Sequence, residues 1–206
     1  MLELTASHGA DAATDTIKVL VDSTTEVTLP ATADTEVAYL SSDATVASQN
    51  WGGSGSNWLL AATEPNGPPG TSWALMRFDI SKIKSLSNAT LRLTGGMGNA
   101  AEPYTMKCVV NDIPSSNWDV RTVTWNSRPG LGQQIAVFDV KPRLFNNLTG
   151  INEIDVTSYV QKQIKAGLTS IDIAVSVLPF PGLTVCRFRT KESDFGQPEL
   201  VISPSP

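Results

Sequence analysis

Histidine is nearly absent from this chain. The single one, His8, lies in a polar N-terminal stretch, so histidine triads and histidine-rich zinc sites are excluded. Cysteine is almost as scarce, and Cys108 and Cys186 lack the close spacing of a metal or redox pair. They read either as one disulfide or as two buried thiols, the second being the commoner use of cysteine in a core. No apolar run approaches the ~18 residues of a membrane span. No G-x-S-x-G, P-loop or metalloprotease helix occurs, and no repeat recurs at a fixed period. Charged residues make up only 17%, and the net charge is −5, which argues against nonspecific binding to nucleic acid or to anionic membranes. Met1 is followed by neither a basic segment nor an apolar core, so no signal peptide is read. The expectation is a portion of a longer secreted chain, with a cytosolic protein as the alternative.

What is present is a succession of short apolar runs separated by Gly, Pro, Asn and Ser clusters, the pattern of an all-β protein. Strands are predicted at 35–40, 57–62, 73–80, 88–95, 104–111, 122–125, 134–139, 151–156, 170–177, 183–190 and 198–203. One helix is predicted from Ser158 to Ala166, capped by Thr157 and stopped by Gly167, with Val160 and Ile164 on one face. Residues 1–26 read as a linker or edge segment with one strand-like run at 17–21, and 27–206 as one domain. Two long loops, 41–56 and 63–72, stand out. About ten antiparallel strands in one domain predict a two-sheet β-sandwich of jelly-roll type with one short helix.

Alternation along strands assigns faces. Met76, Phe78 and Ile80 point one way and Leu75, Arg77 and Asp79 the other. By the same parity Ala89, Leu91, Leu93, Met106, Cys108, Val110, Cys186 and Phe188 face the core. Arg92, Lys107, Arg187, Arg189 and Lys191 then point away from it, and with Arg77 they form a set of six outward cations. One reading is a solvated face whose cations discourage edge pairing. The other is a cationic groove for an anionic polymer, since a guanidinium binds a carboxylate or sulfate through two hydrogen bonds. Arg187 and Arg189, two apart on one strand, are its strongest members.

Aromatic rings pack on the C–H faces of sugars and offer a second route to carbohydrate. Trp51, between Asn50 and two glycines, and Tyr104, after a proline, are the candidates. Trp58, Trp73, Trp118 and Trp125 are read as core residues. Asp79 and Glu192 lie near the basic residues, where a salt bridge to arginine is the default. No cofactor is called for, although Asp34 and Asp194 could contribute to a structural calcium site. A lyase using Tyr104 or Tyr39 as base, with an arginine neutralising a uronate, needs no histidine and is a third reading beside a binding module and a structural module.

Taken in order, LPATADTEV, NWGGSGSNWLL, ALMRFDIS, ATLRL, NWDVRTVTWNSRPG, EIDVTSYVQKQIKAG and FRTKESDFGQPELVIS resemble the DNRLRE-type modules. These are disaggregatase-related β-sandwich domains that overlap carbohydrate-binding module family 96. The resemblance covers roughly 27–202. It departs from the family at Thr190-Lys191-Glu192, where an SRE-like string is usual, and in a longer, proline-rich loop before Ser72. It implies a non-catalytic, secreted module that binds acidic polysaccharide such as alginate and is fused to a polysaccharide-degrading enzyme. By position, Arg77 matches the arginine of the family's RFD strand, and Arg189 to Glu192 match its terminal basic-acidic strand.

Overall fold

Alternating apolar residues form strands where both a core and a partner strand are available, and the computed structural model contains thirteen of them among the described residues. These residues are 2–8, 11–17, 25–39, 58–63, 71–97, 105–114, 117–141, 150–179 and 184–205. β1 (Leu2–His8) and β2 (Asp11–Ile17) pair as a two-stranded antiparallel sheet of their own. From the sequence alone this stretch reads as a linker or edge segment with one strand-like run at 17–21, of which 18–21 lies outside the described residues.

The other strands are β3 (Val27–Pro30), β4 (Ala33–Ala38), β5 (Trp58–Thr63), β6 (Ser72–Asp79), β7 (Asn88–Met97), β8 (Met106–Asp112), β9 (Gln134–Val140), β10 (Ile151–Asp155), β11 (Ser170–Val177), β12 (Thr184–Arg189) and β13 (Glu199–Ser203). They follow one hydrogen-bonded path, β3-β13-β7-β12-β5-β6-β11-β8-β9, with β10 also on β7 and β4 also on β6. All pairings are antiparallel, and the fold is the expected all-β sandwich.

β7 serves both halves of the sandwich. Along Asn88–Thr94 it pairs with β13 and β10, and along Gly95–Met97 with β12. The hand-over needs a close approach: a Cβ on Gly95 would lie 2.0 Å from the Arg187 carbonyl oxygen and 2.8 Å from Phe188 Cα. Beyond it the path curls strongly. β12 and β8 are separated by three strands, so a flat sheet would hold them about 19 Å apart. Yet Cys108 Sγ of β8 is 3.4 Å from Cys186 Sγ of β12, and the Phe138 and Phe188 rings are 6.2 Å apart. Met97 N–H also donates to the Lys141 carbonyl just after β9 at 3.3 Å.

The main core lies inside this curl. Met76, Phe78, Leu91, Leu93 and Phe188 are fully buried there, as parity predicts, and Ile202 is buried with them. α1 (Thr157–Lys165) closes it with Val160 buried and Ile164 packed beside it. Gly167 (φ +78°) stops the helix as expected, its N–H bonding Ile164 O while Leu168 N–H reaches Gln163 O. The start differs from expectation. Thr157 is the first helical residue rather than the cap, and its N–H donates to Asp155 Oδ1 at 2.9 Å while its hydroxyl donates to Asn88 Oδ1.

A second apolar cluster covers the opposite face of β4, β6 and β11: Val37, Leu75 and Ala174 lie under Trp118, Val123 and Trp125. Trp118 and Trp125 are thus core residues, as expected. The strand predicted at 122–125 is instead a pair of turns. Asp119 takes up the backbone there, its carboxylate accepting Arg121 N–H and its carbonyl the N–H groups of Thr122 and Val123. Arg128 clamps the segment, stacking on Trp125 at 3.8 Å and Trp73 at 4.6 Å and donating to the Trp125 carbonyl.

Replacing Gly95 with alanine should force β7 and β12 apart, costing roughly 2 kcal/mol and lowering Tm by about 4–8 °C in thermal unfolding. An unchanged Tm would show that the hand-over does not depend on the close approach.

Candidate functional site

On β12 the outward residues Val185, Arg187 and Arg189 stand opposite Ala62, Leu60 and Trp58 of β5. The Arg189 guanidinium lies over the Trp58 ring at 3.9 Å and against the Phe195 ring at 4.3 Å. Both partners are set by local structure. Trp58 is in direct register with Arg189, and Phe195 is returned by the turn after β12. In that turn Ser193 N–H donates to Thr190 O and the Gln197 amide donates to Ser193 O. Gly196 ends it with φ +68°, packed so closely on Thr94 that an added Cβ would lie 2.7 Å from the threonine side chain. Phe195 remains 51% exposed.

Arg189 makes no ion pair among the described residues, and its Nε has no hydrogen-bond acceptor there. With ring faces against its plane, a further partner must meet the guanidinium at its N–H edge, where carboxylates and sulfates bind through two hydrogen bonds. Arg187, next on the same face, is within electrostatic reach of Glu36.

Two carboxyls lie buried beside these cations on β4. Asp34 accepts the Lys191 backbone N–H at 2.7 Å, yet burial pushes its pKa up to about 7. Glu36 is also raised to about 7 by burial, only partly offset by a hydrogen bond from the Leu60 backbone N–H and by the Arg187 charge. Lys191 itself pairs with Glu192 at 2.6 Å, which raises the lysine pKa.

The sequence profile of carbohydrate-binding module family 96 matches residues 25–204. The chain belongs to that family. Comparison with curated proteins finds no match. No helix among the described residues of this family 96 module is long and apolar enough to cross a membrane.

The module does not gather its six outward cations into one groove. Arg92 lies on the part of β7 that pairs with β10 and β13, where it bridges Glu153 (3.0 Å) and Glu199 (3.5 Å). Lys107 is on β8, exposed and paired with Asp139 at 2.9 Å. Arg77 is on β6 under the second cluster. It donates to Asp172 at 2.7 Å and to the Trp118 carbonyl, with its guanidinium 4.7 Å from the Trp118 ring. Asp172 has a side-chain exposure of only 1%, and burial raises its pKa despite Arg77. Arg187 and Arg189 alone share a strand face, with Lys191 just beyond them.

Other expectations are corrected at the level of single side chains. Among the described residues Asp79 pairs with no arginine; the Ser81 side chain and the Ser81 N–H, the latter at 2.8 Å, both donate to its carboxylate and lower its pKa. Glu192 pairs with a lysine. Trp58 is half-buried on the outer face rather than in the core, whereas Trp73 packs against the second cluster. Trp51 and Tyr104 lie outside the described residues. Tyr39 stands edge-on to Trp125 at 5.9 Å. Asp194 is exposed, and no group of three or more His, Cys, Asp or Glu side chains suited to a metal occurs among the described residues. Phe195 and Glu36 were missed. A large apolar residue inside the polar turn Asp194-Phe195-Gly196, and an acid at a core-parity position in Asp34-Thr35-Glu36-Val37, were the available signals.

Two stability measurements follow. Asp34 and Glu36 hold protons in the folded chain between their ordinary values of 3.8 and 4.5 and about 7, so stability falls as pH rises through that window and levels off above it. Glu36→Gln should therefore raise Tm at pH 8 by a few degrees, at about 2–4 °C per kcal/mol, and flatten the loss of Tm between pH 4.5 and 7. A variant with an unchanged slope would show that Glu36 is ionised throughout. Arg77→Met strands the buried Asp172 and should cost on the order of 3 kcal/mol in denaturant unfolding. A cost near zero would return Arg77 to the list of ligand-binding cations.

Proposed function

We propose that this module is non-catalytic and binds an acidic polysaccharide, alginate-like or sulfated, on the β12 face. In this reading Arg189 and Arg187 take the acidic groups, Lys191 adds charge, and the exposed Phe195 ring supports a sugar face. The observation that carries it is Arg189 held between Trp58 and Phe195 with no carboxylate partner among the described residues. Stacking on two rings stabilises the arginine by itself and also fixes the plane of its guanidinium, which suits it to receive an anion. Arg77, Arg92 and Lys107 are committed to carboxylates and serve the fold. The module works outside the cell, bringing an attached polysaccharide-degrading enzyme to its substrate.

Exposed charge pairs are each worth under ~1 kcal/mol, so affinity comes from several contacts and is weakened by salt. The test is electrophoresis through gels containing alginate, pectin, a sulfated glycan or neutral cellulose, each at two salt concentrations. Retardation is expected only with the acidic glycans, reduced by salt, weakened by up to about fivefold by Arg189→Ala, and left intact by Arg92→Ala. Retardation that survives the double replacement of Arg187 and Arg189 by alanine would rule out the β12 face. No retardation in any gel would favour a structural module without sugar binding.

A further inference from the structure

The curl of the sheet has placed two cysteines together that no strand pairing would join. Cys108 and Cys186 are 78 positions apart, lie on strands that are not neighbours, face the same interior and are both fully buried. Their sulfurs are 3.4 Å apart, and Cys186 Sγ also contacts Met106 Sδ at 3.7 Å. A disulfide sulfur–sulfur bond is about 2.05 Å long, so closing the gap moves each sulfur by only about 0.7 Å.

We propose that Cys108 and Cys186 are a disulfide-forming pair whose oxidation joins β8 to β12 across the interior of the curled sheet. The co-reactant is a small disulfide of the glutathione class. Two S–H bonds are lost and one S–S bond forms; the two electrons reduce the small disulfide to two thiols, which take up the two protons. The step belongs to folding rather than to the finished protein. In the closed core the contact with Cys186, together with burial, raises the Cys108 pKa, leaving little thiolate, and no oxidant reaches it. While the sheet is still open both thiols are accessible, and the curl then holds the bond shielded from reductant. Such a bond removes freedom from a long loop of the unfolded chain.

The experiment refolds the reduced 206-residue chain in a buffer of oxidised and reduced glutathione, then traps free thiols with N-ethylmaleimide in denaturant before intact-mass analysis. The expected product is a monomer about 2 Da lighter than the reduced chain, without adducts, that gains two adducts only after reduction. It should melt about 5 °C or more above the same chain refolded in reductant. Two adducts without reduction, a glutathione mixed disulfide or a disulfide-linked dimer would overturn the assignment. A linked monomer that melts below the reduced one would show that the bond does not fit the native core.

Discussion

The hand-over of β7 from one set of neighbours to another is the constraint on which the rest of the molecule rests. One strand pairs with β10 and β13 over its first seven residues and with β12 over its last three, and Gly95 stands where the second partner arrives. Only a residue without a Cβ admits the Arg187 carbonyl at that distance. Because β12 is positioned there, the outward face of β12, the inward contact of Cys186 with β8 and the ring contact of Phe188 with Phe138 are all consequences of the same approach. Each fully buried aliphatic or aromatic side chain in the resulting core contributes about 1.5–3 kcal/mol, a gain realised only if the curl closes.

The cations of this acidic chain divide into two kinds of work. Arg77 neutralises a carboxyl that cannot reach water, and Arg92 ties β7 to both of its flanking strands through Glu153 and Glu199. Arg128 uses its plane rather than its charge, pinning the 117–131 segment over the second apolar cluster. Arg189 also presents its plane to two rings, one of them the half-exposed ring of Phe195. The two differ in what lies at the guanidinium edge: a backbone carbonyl for Arg128, and no ion-pair partner among the described residues for Arg189.

Much of this was legible in the sequence because it depends on local periodicity. The inward set Met76, Phe78, Leu91, Leu93, Cys108, Cys186 and Phe188, the outward Arg187 and Arg189 and the glycine that stops α1 all follow from period-two or period-four spacing. What failed is nonlocal, with one local exception at 122–125. Parity turned Leu75 away from the main core but could not say that Trp118 and Trp125 would bury it completely. It turned Arg92 and Arg187 outward alike, but the partner strands that separate them are chosen by the curl. The stretch 122–125 alternates like a strand, yet Asp119 captures its backbone N–H groups first.

The turn after β12 also bears on the thermodynamics of recognition. Phe195 precedes a glycine in the left-handed region that is wedged against Thr94, and its ring already rests on Arg189. In the proposed reading it has less rotational freedom to surrender than a ring without that contact. Ordering a mobile side chain at an interface costs about 0.5–1.5 kcal/mol, and here folding has met part of that cost in advance. If this surface binds polysaccharide as proposed, the entropy lost on complex formation falls more on the flexible polymer than on the protein.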